Sequence, residues 1–392
     1  MANKFPENSS EMNVLILSCG TGEGHNSAAR ALAENLTERG ISCEVRDSVS
    51  FKSEKSQRKI ANLYMNVIRN TPSLFGFVYK LGAAYEAMFS HCPIYTYNAR
   101  YADKLYAYIK EKGFNLVICT HTFSMMTMTA VREKFAPDLP CYGVLTDYTA
   151  IPFYRYSRLD GYFVANDKTR YQLKKIGKKD EIIHCLGIPV GKKFAVAMTK
   201  DEAKDCLGIP HDKKVVVVLS GGAGCGKILN LGESLDKTMG DDHLICVFTG
   251  RNDKLKAKMD KRFGSNDKFK IIEFTPDVSL YLKAADIAFS KPGGLSSTEI
   301  AVANVPFVQL KAIPGCETEN KKHFTSYGLA VYASTIKKAV RSAHTVMTDE
   351  RVVSSMLENQ KLFVNPNSND LILEKIMELQ NIERYCLSEE RI

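Results

Sequence analysis

Short apolar runs alternate with longer amphipathic stretches along this chain of 392 residues. Each run has the length of a strand, whereas the stretches that follow have helical composition. Six strands are predicted in the first half, at residues 14–18, 43–47, 116–120, 141–146, 161–165 and 182–186. Five are predicted in the second half, at residues 214–220, 244–249, 270–274, 287–290 and 305–310.

Strands that are apolar throughout, each followed by a helix, indicate parallel sheets covered on both faces. Two such sets predict an α/β protein with two Rossmann-like domains, at residues 1–195 and 196–392. Gly187, Pro189 and Gly191 interrupt the pattern before the boundary, and a charged helix at 200–207 opens the second set. A return of the last helices to the first domain is left open.

A glycine-rich segment, KPGGLSSTE at residues 291–299, falls between a predicted strand and a predicted helix. Small residues there let an anion reach the free N–H groups of the helix start, where the helix dipole also favours negative charge. We therefore interpret the segment as a diphosphate cradle, with Glu299 one turn further along to accept hydrogen bonds from ribose hydroxyls. An ordinary strand-to-helix turn with a serine cap is the alternative.

After this helix comes the strand at 305–310 and then a polar loop at 313–320. The carboxyl end of a strand is where open α/β sheets place their ligands. Glu317 and Asn320 in this loop are candidates for binding sugar hydroxyls.

Two further glycine-rich stretches resemble nucleotide-binding motifs but depart from them. Residues 221–227 nearly satisfy the Walker A pattern, yet Ile228 stands where a Ser or Thr must bind Mg²⁺. We interpret this stretch as a turn that faces the cleft, or as a tight turn without ligand contact. GTGEGH at 20–25, with Asp47 ending the second strand, resembles a dinucleotide fingerprint, but His25 occupies the position of the third glycine. An oxidoreductase therefore stays an alternative.

Four motifs in this order resemble the family 28 glycosyltransferases that make glycolipids. They are residues 20–25, 146–148, 187–190 and the pair 291–299 with 314–320. The family includes plant monogalactosyldiacylglycerol synthase and the bacterial processive diacylglycerol glucosyltransferases, and the peptidoglycan N-acetylglucosaminyltransferase is a more distant relative. The resemblance covers roughly residues 13–322. It implies the GT-B fold, in which two Rossmann-like domains face each other across a cleft, and a UDP-hexose as donor.

The resemblance also implies roles for particular residues. A histidine at a helix start is commonly a cap or a surface residue, but His25 matches the family's proposed base for the acceptor hydroxyl. Asp147 is the second candidate, either orienting His25 or acting as the base itself. Gly22 and Gly24 would form the acceptor-side loop. The residues assigned to the donor are Gly221, Gly222, Phe274, Gly293, Gly294, Ser296, Ser297, Glu299, Glu317 and Asn320.

Two stretches depart from the family pattern. Family members generally carry a further His or Cys a few positions beyond the aspartate, whereas residues 148–152 here are mostly apolar or hydroxylic. Cys316 stands where the glycolipid enzymes usually have a Gln thought to contact the donor sugar. The first departure leaves the acceptor-side details open, and the second leaves the sugar open among glucose, galactose and N-acetylglucosamine.

Composition narrows the class of protein further. Hydrophobic residues make up 45% of the chain and charged residues 25%, which are ordinary globular values. The 11 cysteines form no Cys-x-x-Cys pair and several lie in apolar runs, so we expect free thiols in a reducing compartment and no structural zinc. The polar first twelve residues predict no signal peptide, and no apolar run is long enough to span a bilayer.

The formal charge of +9 suits nucleic acid, an anionic membrane or an anionic substrate. We find no nucleic-acid-binding signature, and therefore expect no nucleic-acid partner. A long insertion at residues 50–108 mixes cations with aromatic residues, which is typical either of a surface facing anionic lipid or of plain core. Its members are Lys52, Lys55, Arg58, Lys59, Arg69 and Lys80, with Tyr64, Phe75, Phe77, Tyr79, Tyr85 and Phe89.

These observations predict an inverting transfer of hexose from a UDP-sugar to diacylglycerol by a peripheral enzyme on the cytoplasmic face of the membrane. No Asp-x-Asp motif lies near the donor residues, so we expect no metal or other cofactor. A polyprenyl-linked or soluble acceptor is the enzymatic alternative. A nucleotide-sugar sensor that binds without turnover is the alternative from another class.

Overall fold

Two parallel six-stranded sheets form the framework of the protein in this computed structural model. The structure describes residues 12–89, 91–222, 224 and 227–380. The first sheet contains β1 Asn13–Ser18, β2 Ser42–Asp47, β3 Leu116–Cys119, β4 Cys141–Val144, β5 Gly161–Val164 and β6 Ile183–Cys185. The second contains β7 Lys214–Leu219, β8 His243–Phe248, β9 Phe269–Ile272, β10 Ile287–Ser290, β11 Phe307–Gln309 and β12 Val331–Tyr332.

Helices connect these strands. Those before β7 are α1 Glu23–Glu38, α2 Glu54–Asn70, α3 Pro72–Met88, α4 Pro93–Ala99, α5 Ala102–Lys112, α6 Thr122–Lys134, α7 Asp167–Lys175 and α8 Lys200–Leu207. Those after β7 are α9 Ile228–Thr238, α10 Asp253–Phe263, α11 Val278–Ala284, α12 Gly294–Val302, α13 Cys316–Ser326, α14 Ile336–Thr348, α15 Glu350–Phe363 and α16 Ser368–Leu379.

All eleven predicted strands form, and the edge strand β12 is the one that sequence reasoning missed. β12 has two residues, too few for any periodicity to show. Burial explains the continuous apolar runs. In β1, Leu15 and Leu17 pack into one hydrophobic cluster, whereas Val14 and Ile16 pack into another. Because successive side chains point to opposite faces, both faces of this strand are buried.

Strand order places the two candidate sites. The first sheet has the order β2-β1-β3-β4-β5-β6 and the second β12-β11-β10-β7-β8-β9. The direction of chain progression reverses between β1 and β3 in the first sheet, and between β7 and β10 in the second. Open α/β sheets bind ligands at such switch points, outside the carboxyl ends of the strands. The α/β fold predicted from the sequence is confirmed in both halves.

The last helix returns to the first sheet. Ile372, Leu373 and Ile376 of α16 pack in the same cluster as Val14 of β1. Arg39, at the end of α1, pairs with Asp370 at 2.8 Å. The chain therefore passes to the second sheet between β6 and β7 and comes back near its end.

The insertion predicted at residues 50–108 is helical and contains α2 to α5. The side chains of Phe75, Arg69 and Lys80 lie outside the described residues, as do residues 223, 225 and 226 of the Walker-like turn. Among the described helices, none is both long and apolar enough to cross a membrane. The described cysteines are free thiols, several of them buried in the strands.

Candidate functional site

The carboxyl ends of the two sheets meet across the cleft. A Cβ added to Gly294, the first residue of α12, would collide with the backbone oxygen of Thr146, which follows β4. A Cβ added to Gly222, which follows β7, would lie 2.5 Å from the Cβ of Glu23 in α1. These glycines therefore permit a close approach of the two halves, and the residues predicted on the two sides form one site.

His25 lies in the first turn of α1, at the switch point of the first sheet. Its Nδ1 atom is 3.1 Å from the backbone oxygen of Thr120 and 2.7 Å from the hydroxyl of Thr146. A carbonyl oxygen can only accept, so we place the hydrogen on Nδ1 and a free lone pair on Nε2. Burial lowers the pKa of His25 to about 4, so the ring is neutral at physiological pH. Nε2 is thus able to take a proton.

A second histidine, His121, lies edge-on to His25, with ring centroids 4.6 Å apart. Its Nδ1 accepts the N–H of Phe123 at 3.1 Å, so its hydrogen is on Nε2, which donates to the Thr21 hydroxyl at 2.9 Å. Burial holds the pKa of His121 well below its usual range, and the neighbouring His25 lowers it further. Two neutral rings therefore lie together without charge repulsion.

Sequence reasoning missed Thr120, His121 and the contact of Thr146 with His25. A signal was available, because β3 lies beside β1 and β4 lies beside β3, in the order that an α/β fold allows. Residues at the carboxyl ends of such strands share one edge of the sheet. What the sequence could not provide was which side chain reaches the imidazole.

Asp147 follows β4 and contacts the second half of the chain. Its Oδ1 accepts a hydrogen bond from the Asn320 amide at 2.7 Å. Burial raises the pKa of Asp147 to about 6, with the Asn320 hydrogen bond lowering it and the charge of Glu317 raising it. Within the described residues no hydrogen bond joins Asp147 to His25, whose Nδ1 is held by Thr120 and Thr146 instead. The contact that orients His25 is therefore not made by Asp147 in this structure.

Asn320 bridges the two halves of the site. Its amide nitrogen donates to Asp147 and, at 3.1 Å, to the backbone oxygen of Pro292, and its oxygen accepts the Tyr148 N–H at 2.8 Å. Both donors and one acceptor position are thus used inside the protein. We predicted that Asn320 binds a sugar hydroxyl, but in this conformation the amide is committed to holding the Asp147 loop against the donor loop.

Glu317, in the first turn of α13, also holds loops together. Its carboxylate accepts the Ile313 N–H at 2.7 Å and pairs with the ammonium group of Lys291 at 3.5 Å. The side chains of Lys291 and Glu317 are only 13% and 16% exposed. This ion pair fixes the polar loop after β11 to the glycine-rich segment after β10, so the two predicted donor loops form one surface.

The start of α12 is open beside Gly293. A Cβ added to Gly293 would meet nothing within 4 Å, in contrast to Gly294. Ser296 is half-buried, whereas Ser297 is fully buried and accepts a hydrogen bond from Gln309 at 3.4 Å. Ser296 is therefore the more accessible of the two hydroxyls. The N–H groups of this first turn and the helix dipole favour an anion here.

Glu299 lies one turn further along α12. Burial raises the pKa of Glu299 to about 7, while the charges of Lys193 and Arg30 lower it and that of Glu23 raises it. The carboxyl group therefore changes its charge near neutral pH. Hydrogen-bond donors from a ligand, or the two cations, would favour its ionised form.

The turn after β7 and the loop after β8 pack together. Gly221 has a φ of 73°, which favours glycine. A Cβ added to Gly250 would lie 2.6 Å from the backbone oxygen of Gly221. The Arg251 guanidinium lies over the Phe274 ring, 4.1 Å from its centroid, and pairs with Glu23 across the cleft at 2.9 Å. Phe274 is 46% exposed and so presents an aromatic surface beside the cleft.

The acceptor-side glycines lie next to the imidazole. A Cβ added to Gly22 would be 3.7 Å from both the His25 ring and the Tyr64 hydroxyl, and one added to Gly24 would be 3.6 Å from the Leu295 Cβ. Gly24 thus marks the contact of α1 with α12. Tyr64 belongs to α2, so the insertion also reaches this part of the site.

Positive charge beside the start of α12 comes from side chains. Lys291 precedes the helix, and the positive charge of Lys193 acts on Glu299, one turn into it. In the described ranges, no group of three or more His, Cys, Asp or Glu side chains is arranged to hold a metal ion. The arrangement can bind an anion at the second sheet and accept a proton at the first.

Two family models match the chain. The model described as monogalactosyldiacylglycerol (MGDG) synthase matches residues 25–190. The glycosyltransferase family 28 C-terminal domain matches residues 215–334. The first match begins at His25 and the second contains every residue that we assigned to the donor.

Two relatives that match over nearly their whole length carry the same name. The chain is 26% identical to the processive diacylglycerol beta-glucosyltransferase of Bacillus licheniformis over 383 residues, covering 94% of this chain and 96% of the relative. It is 25% identical to the enzyme of the same name from Bacillus subtilis over 376 residues, covering 93% and 94%. Together with the two family models, these matches confirm the resemblance found in the motifs.

Solved structures share the fold. The S. aureus MnaA–UDP co-structure aligns with a TM-score of 0.60 at 16% identity, covering 95% of this chain and 98% of that one. MurG from Acinetobacter baumannii aligns at 0.55 with 15% identity, covering 94% and 99%. Anabaena Alr3699/HepE in complex with UDP-glucose aligns at 0.56 with 12% identity, covering 95% and 100%. At these identities the likeness shows the fold alone, and it confirms the prediction of two facing Rossmann-like domains.

Proposed function

Because the chain belongs to the glycosyltransferase family 28 glycolipid synthases, we propose that it transfers a hexose from a UDP-sugar to diacylglycerol with inversion at the anomeric carbon. One observation carries this proposal. A neutral His25 with a free Nε2 lies at one switch point, and the open start of α12 at Gly293 lies at the facing one. A base and an anion site on opposite sides of one cleft suit a single displacement.

In the proposed reaction, Nε2 of His25 removes the proton from the acceptor hydroxyl. The acceptor oxygen attacks the anomeric carbon while the bond to the UDP oxygen breaks, and UDP leaves with the electron pair. The amides of α12, its dipole and Lys291 would stabilise the negative charge on the departing diphosphate. The imidazolium that forms keeps its Nδ1 hydrogen bonds to Thr120 and Thr146. Asp147 stays an alternative base, since burial raises its pKa to about 6.

Support for a UDP-sugar donor comes from the fold neighbours, two of which were solved with UDP or UDP-glucose. Glu299 would accept the ribose hydroxyls, and Phe274 would offer a ring for stacking on the base. Glu317 would support the donor loop through Lys291. Because the helix amides, the helix dipole and Lys291 would offset the negative charge of the diphosphate, we propose a metal-independent reaction. Activity should survive excess EDTA, and a loss that Mn²⁺ restores would contradict this point.

Diacylglycerol as acceptor requires contact with a bilayer. We define the outer face of α3 as its exposed apolar residues, each 50% to 75% exposed. They are Leu74, Phe77, Val78, Leu81 and Met88. Large apolar surfaces on a soluble protein commonly mark an interaction site. We propose that this face enters the headgroup region, so that the enzyme is peripheral, and the free thiols favour the cytoplasmic side.

The cations of the insertion would add an electrostatic contribution. Two of them have local partners, since Lys52 lies 3.8 Å from the centroid of the Tyr97 ring and Arg58 is 3.5 Å from Glu54. Because the outer face of α3 is apolar, part of the binding to phosphatidylglycerol vesicles should resist salt. The double change Phe77→Ser with Leu81→Ser should abolish that part. Lys55, Arg58 and Lys59 changed to Glu should remove the salt-sensitive part. Leu362→Ser, at a still more exposed apolar position of α15, serves as control. Wild-type protein that ignores these vesicles at low salt would contradict membrane docking.

The release of UDP tests the proposed function as a whole. UDP-glucose, UDP-galactose and UDP-N-acetylglucosamine would each be supplied with vesicles that contain or lack diacylglycerol. Release that depends on diacylglycerol supports the proposal and identifies the sugar. Faster UDP release with a soluble or polyprenyl-linked acceptor than with diacylglycerol would identify that acceptor as the substrate instead. Binding without release under every condition would favour a nucleotide-sugar sensor.

A further inference from the structure

Helix α3 has an inner face that differs from the outer face defined above. The inner face carries Gly76, Tyr79, Gly82 and Glu86, spaced three or four residues apart as one side of a helix requires. Gly76, Gly82 and Glu86 are buried and Tyr79 is half-buried. The helix that we expect at the bilayer thus has its other side against the protein.

The two glycines of this face allow α3 to lie across the cleft. A Cβ added to Gly76 would collide with Pro314, in the loop before α13 of the donor side. A Cβ added to Gly82 would lie 2.9 Å from the Phe153 ring and 3.6 Å from Pro152, in the loop that follows Asp147. One end of α3 therefore rests on the second half of the chain and the other end on the first.

Beyond Gly82 the helix is anchored to the first half. The Glu86 carboxylate accepts the N–H of Arg155 at 2.9 Å, and the Arg155 guanidinium donates to the backbone oxygen of Glu86 at 3.1 Å. The Tyr156 hydroxyl donates to the backbone oxygen of Phe89 at 2.6 Å. These contacts fix the rotation of α3 and with it the direction of the inner face.

Tyr79 lies between Gly76 and Gly82 on the inner face, so its position is flanked by the contact with Pro314 on one side and by the contact with the loop after Asp147 on the other. Burial raises the pKa of Tyr79 well above its usual range, and the neighbouring Cys316 and Asp147 raise it further. The side chain is therefore a neutral phenol. Its hydroxyl makes no hydrogen bond to another described residue, so it keeps both a donor and an acceptor for a ligand.

We propose that Tyr79 binds the acceptor, with its phenol hydrogen-bonded to the oxygen atoms of the glycerol head of diacylglycerol. This inference rests on the proposed function. A lipid that enters from the outer face of α3 has to pass around this helix to reach the cleft. Of the two polar side chains on the inner face, Glu86 is engaged with Arg155, which leaves Tyr79 for the lipid. A tyrosine suits the position because its ring can pack against the apolar part of the lipid while its hydroxyl forms a hydrogen bond with the polar head.

The experiment compares Tyr79→Phe with Tyr85→Phe, which removes the same atom from a tyrosine of α3 that stacks on Phe89. Transfer to diacylglycerol is measured at varied lipid fraction in the vesicles, together with UDP affinity, vesicle binding and the slow hydrolysis of donor without acceptor. We expect Tyr79→Phe to raise the apparent KM for diacylglycerol about tenfold, the usual effect of one lost hydrogen bond. The other three measurements should stay at the wild-type value, and Tyr85→Phe should behave as wild type.

Three outcomes would overturn the inference. In the first, wild type transfers hexose to diacylglycerol and Tyr79→Phe does so equally well, so the proposed function stands and only the role of Tyr79 falls. In the second, Tyr79→Phe lowers vesicle binding or UDP affinity as much as transfer, which indicates a structural role. In the third, the wild type transfers nothing to diacylglycerol, so the acceptor assignment fails and the role of Tyr79 with it. Tyr79→Leu serves as a second variant, because it should reproduce the KM effect without the ring.

Discussion

The two switch points have the same architecture but are made of different groups. At the first, between β1 and β3, the site consists of side chains held by specific hydrogen bonds, with His25 between Thr120 and Thr146. At the second, between β7 and β10, it consists of glycines, helix amides and the Lys291–Glu317 pair. A proton acceptor needs one ring in one tautomer, whereas an anion site needs bare amides.

This difference teaches that the fold supplies the position and the local residues supply the chemistry. The first switch point keeps its key groups neutral by burial, since the pKa values of His25 and His121 are lowered. At the second, burial raises the pKa of Glu299 to about 7, so this carboxyl group changes its charge near neutral pH. Changes at the first should therefore alter turnover, and changes at the second should alter donor affinity.

The largest effect is expected at the first switch point. His25→Ala should lower kcat by roughly 10²–10⁴ with UDP affinity nearly unchanged, because the imidazole acts on the acceptor proton and not on the donor. Steady-state kinetics and calorimetry with UDP measure the two quantities. His91→Ala, at an exposed histidine of the insertion, is the control. A much larger loss in Asp147→Asn than in His25→Ala would exchange the two roles but keep the base on the first sheet.

A smaller effect is expected where the two switch points touch. Gly294→Ala places a Cβ against Thr146, and such overpacking costs about 1–3 kcal/mol. Because this cost falls on the contact that brings the two halves of the site together, turnover should fall about tenfold or more. Gly293→Ala is the matched variant, because its Cβ meets no protein atom within 4 Å. The unfolding temperature of Gly293→Ala should therefore equal that of wild type, whereas its UDP affinity should fall if the diphosphate lies beside Gly293. Equal stability and equal turnover in the two variants would argue that the halves do not meet as described.

At the second switch point, Glu299→Ala should weaken UDP binding by about 1.5–3 kcal/mol, the cost of losing hydrogen bonds to a charged acceptor. Turnover at saturating donor should change less than UDP affinity. Glu350→Ala, at an exposed position in the first turn of α15, controls for the loss of a surface carboxylate. Unchanged UDP affinity in calorimetry would remove Glu299 from the donor site.

The smallest effect is a dependence of stability on pH. Burial raises the pKa of Glu299 from 4.5 to about 7, so the folded state holds a proton that the unfolded state has released in this range. The contribution of Glu299 to stability is therefore lost as pH rises through about 7. Burial of His25 acts in the opposite sense, since its pKa is lowered to about 4. The comparison of wild type with Glu299→Gln isolates the contribution of the Glu299 carboxyl group to the pH dependence.

Thermal unfolding of the ligand-free proteins should show Glu299→Gln gaining stability relative to wild type as pH rises from 4.5 to about 7, the interval between the two pKa values of the carboxyl group, with no further gain above it. A difference between the two proteins that stays constant with pH would mean that the carboxyl group titrates normally.

The sequence predicted the framework well because continuous apolar runs and glycine punctuation are local features. β1 and β10 are examples, since their residues are buried on both faces and each strand is followed by a helix that begins at a glycine-rich turn. The edge strand β12 escaped because its two residues have too little pattern. Boundaries elsewhere shifted by one or two residues.

Side-chain partners could not be predicted in the same way. Asn320 has the composition of a sugar-binding residue, yet its amide joins Asp147, Pro292 and Tyr148, which lie far away in sequence or on another loop. Likewise, the choice of Thr146 over Asp147 as the partner of His25 depends on which neighbour reaches Nδ1. These side-chain contacts depend on the packing of segments that are distant in sequence, so no local sequence pattern predicts them.

The most direct test of a base and a leaving-group site on opposite sides of one cleft is the configuration of the product. The glycolipid formed from a UDP-α-hexose would be isolated and its anomeric proton coupling measured by NMR. A single displacement, with the acceptor activated by His25 and UDP departing at α12, predicts the β-anomer, with the large coupling of two axial protons. A purely α-linked product would contradict the account, because retention requires a different arrangement of the two switch points.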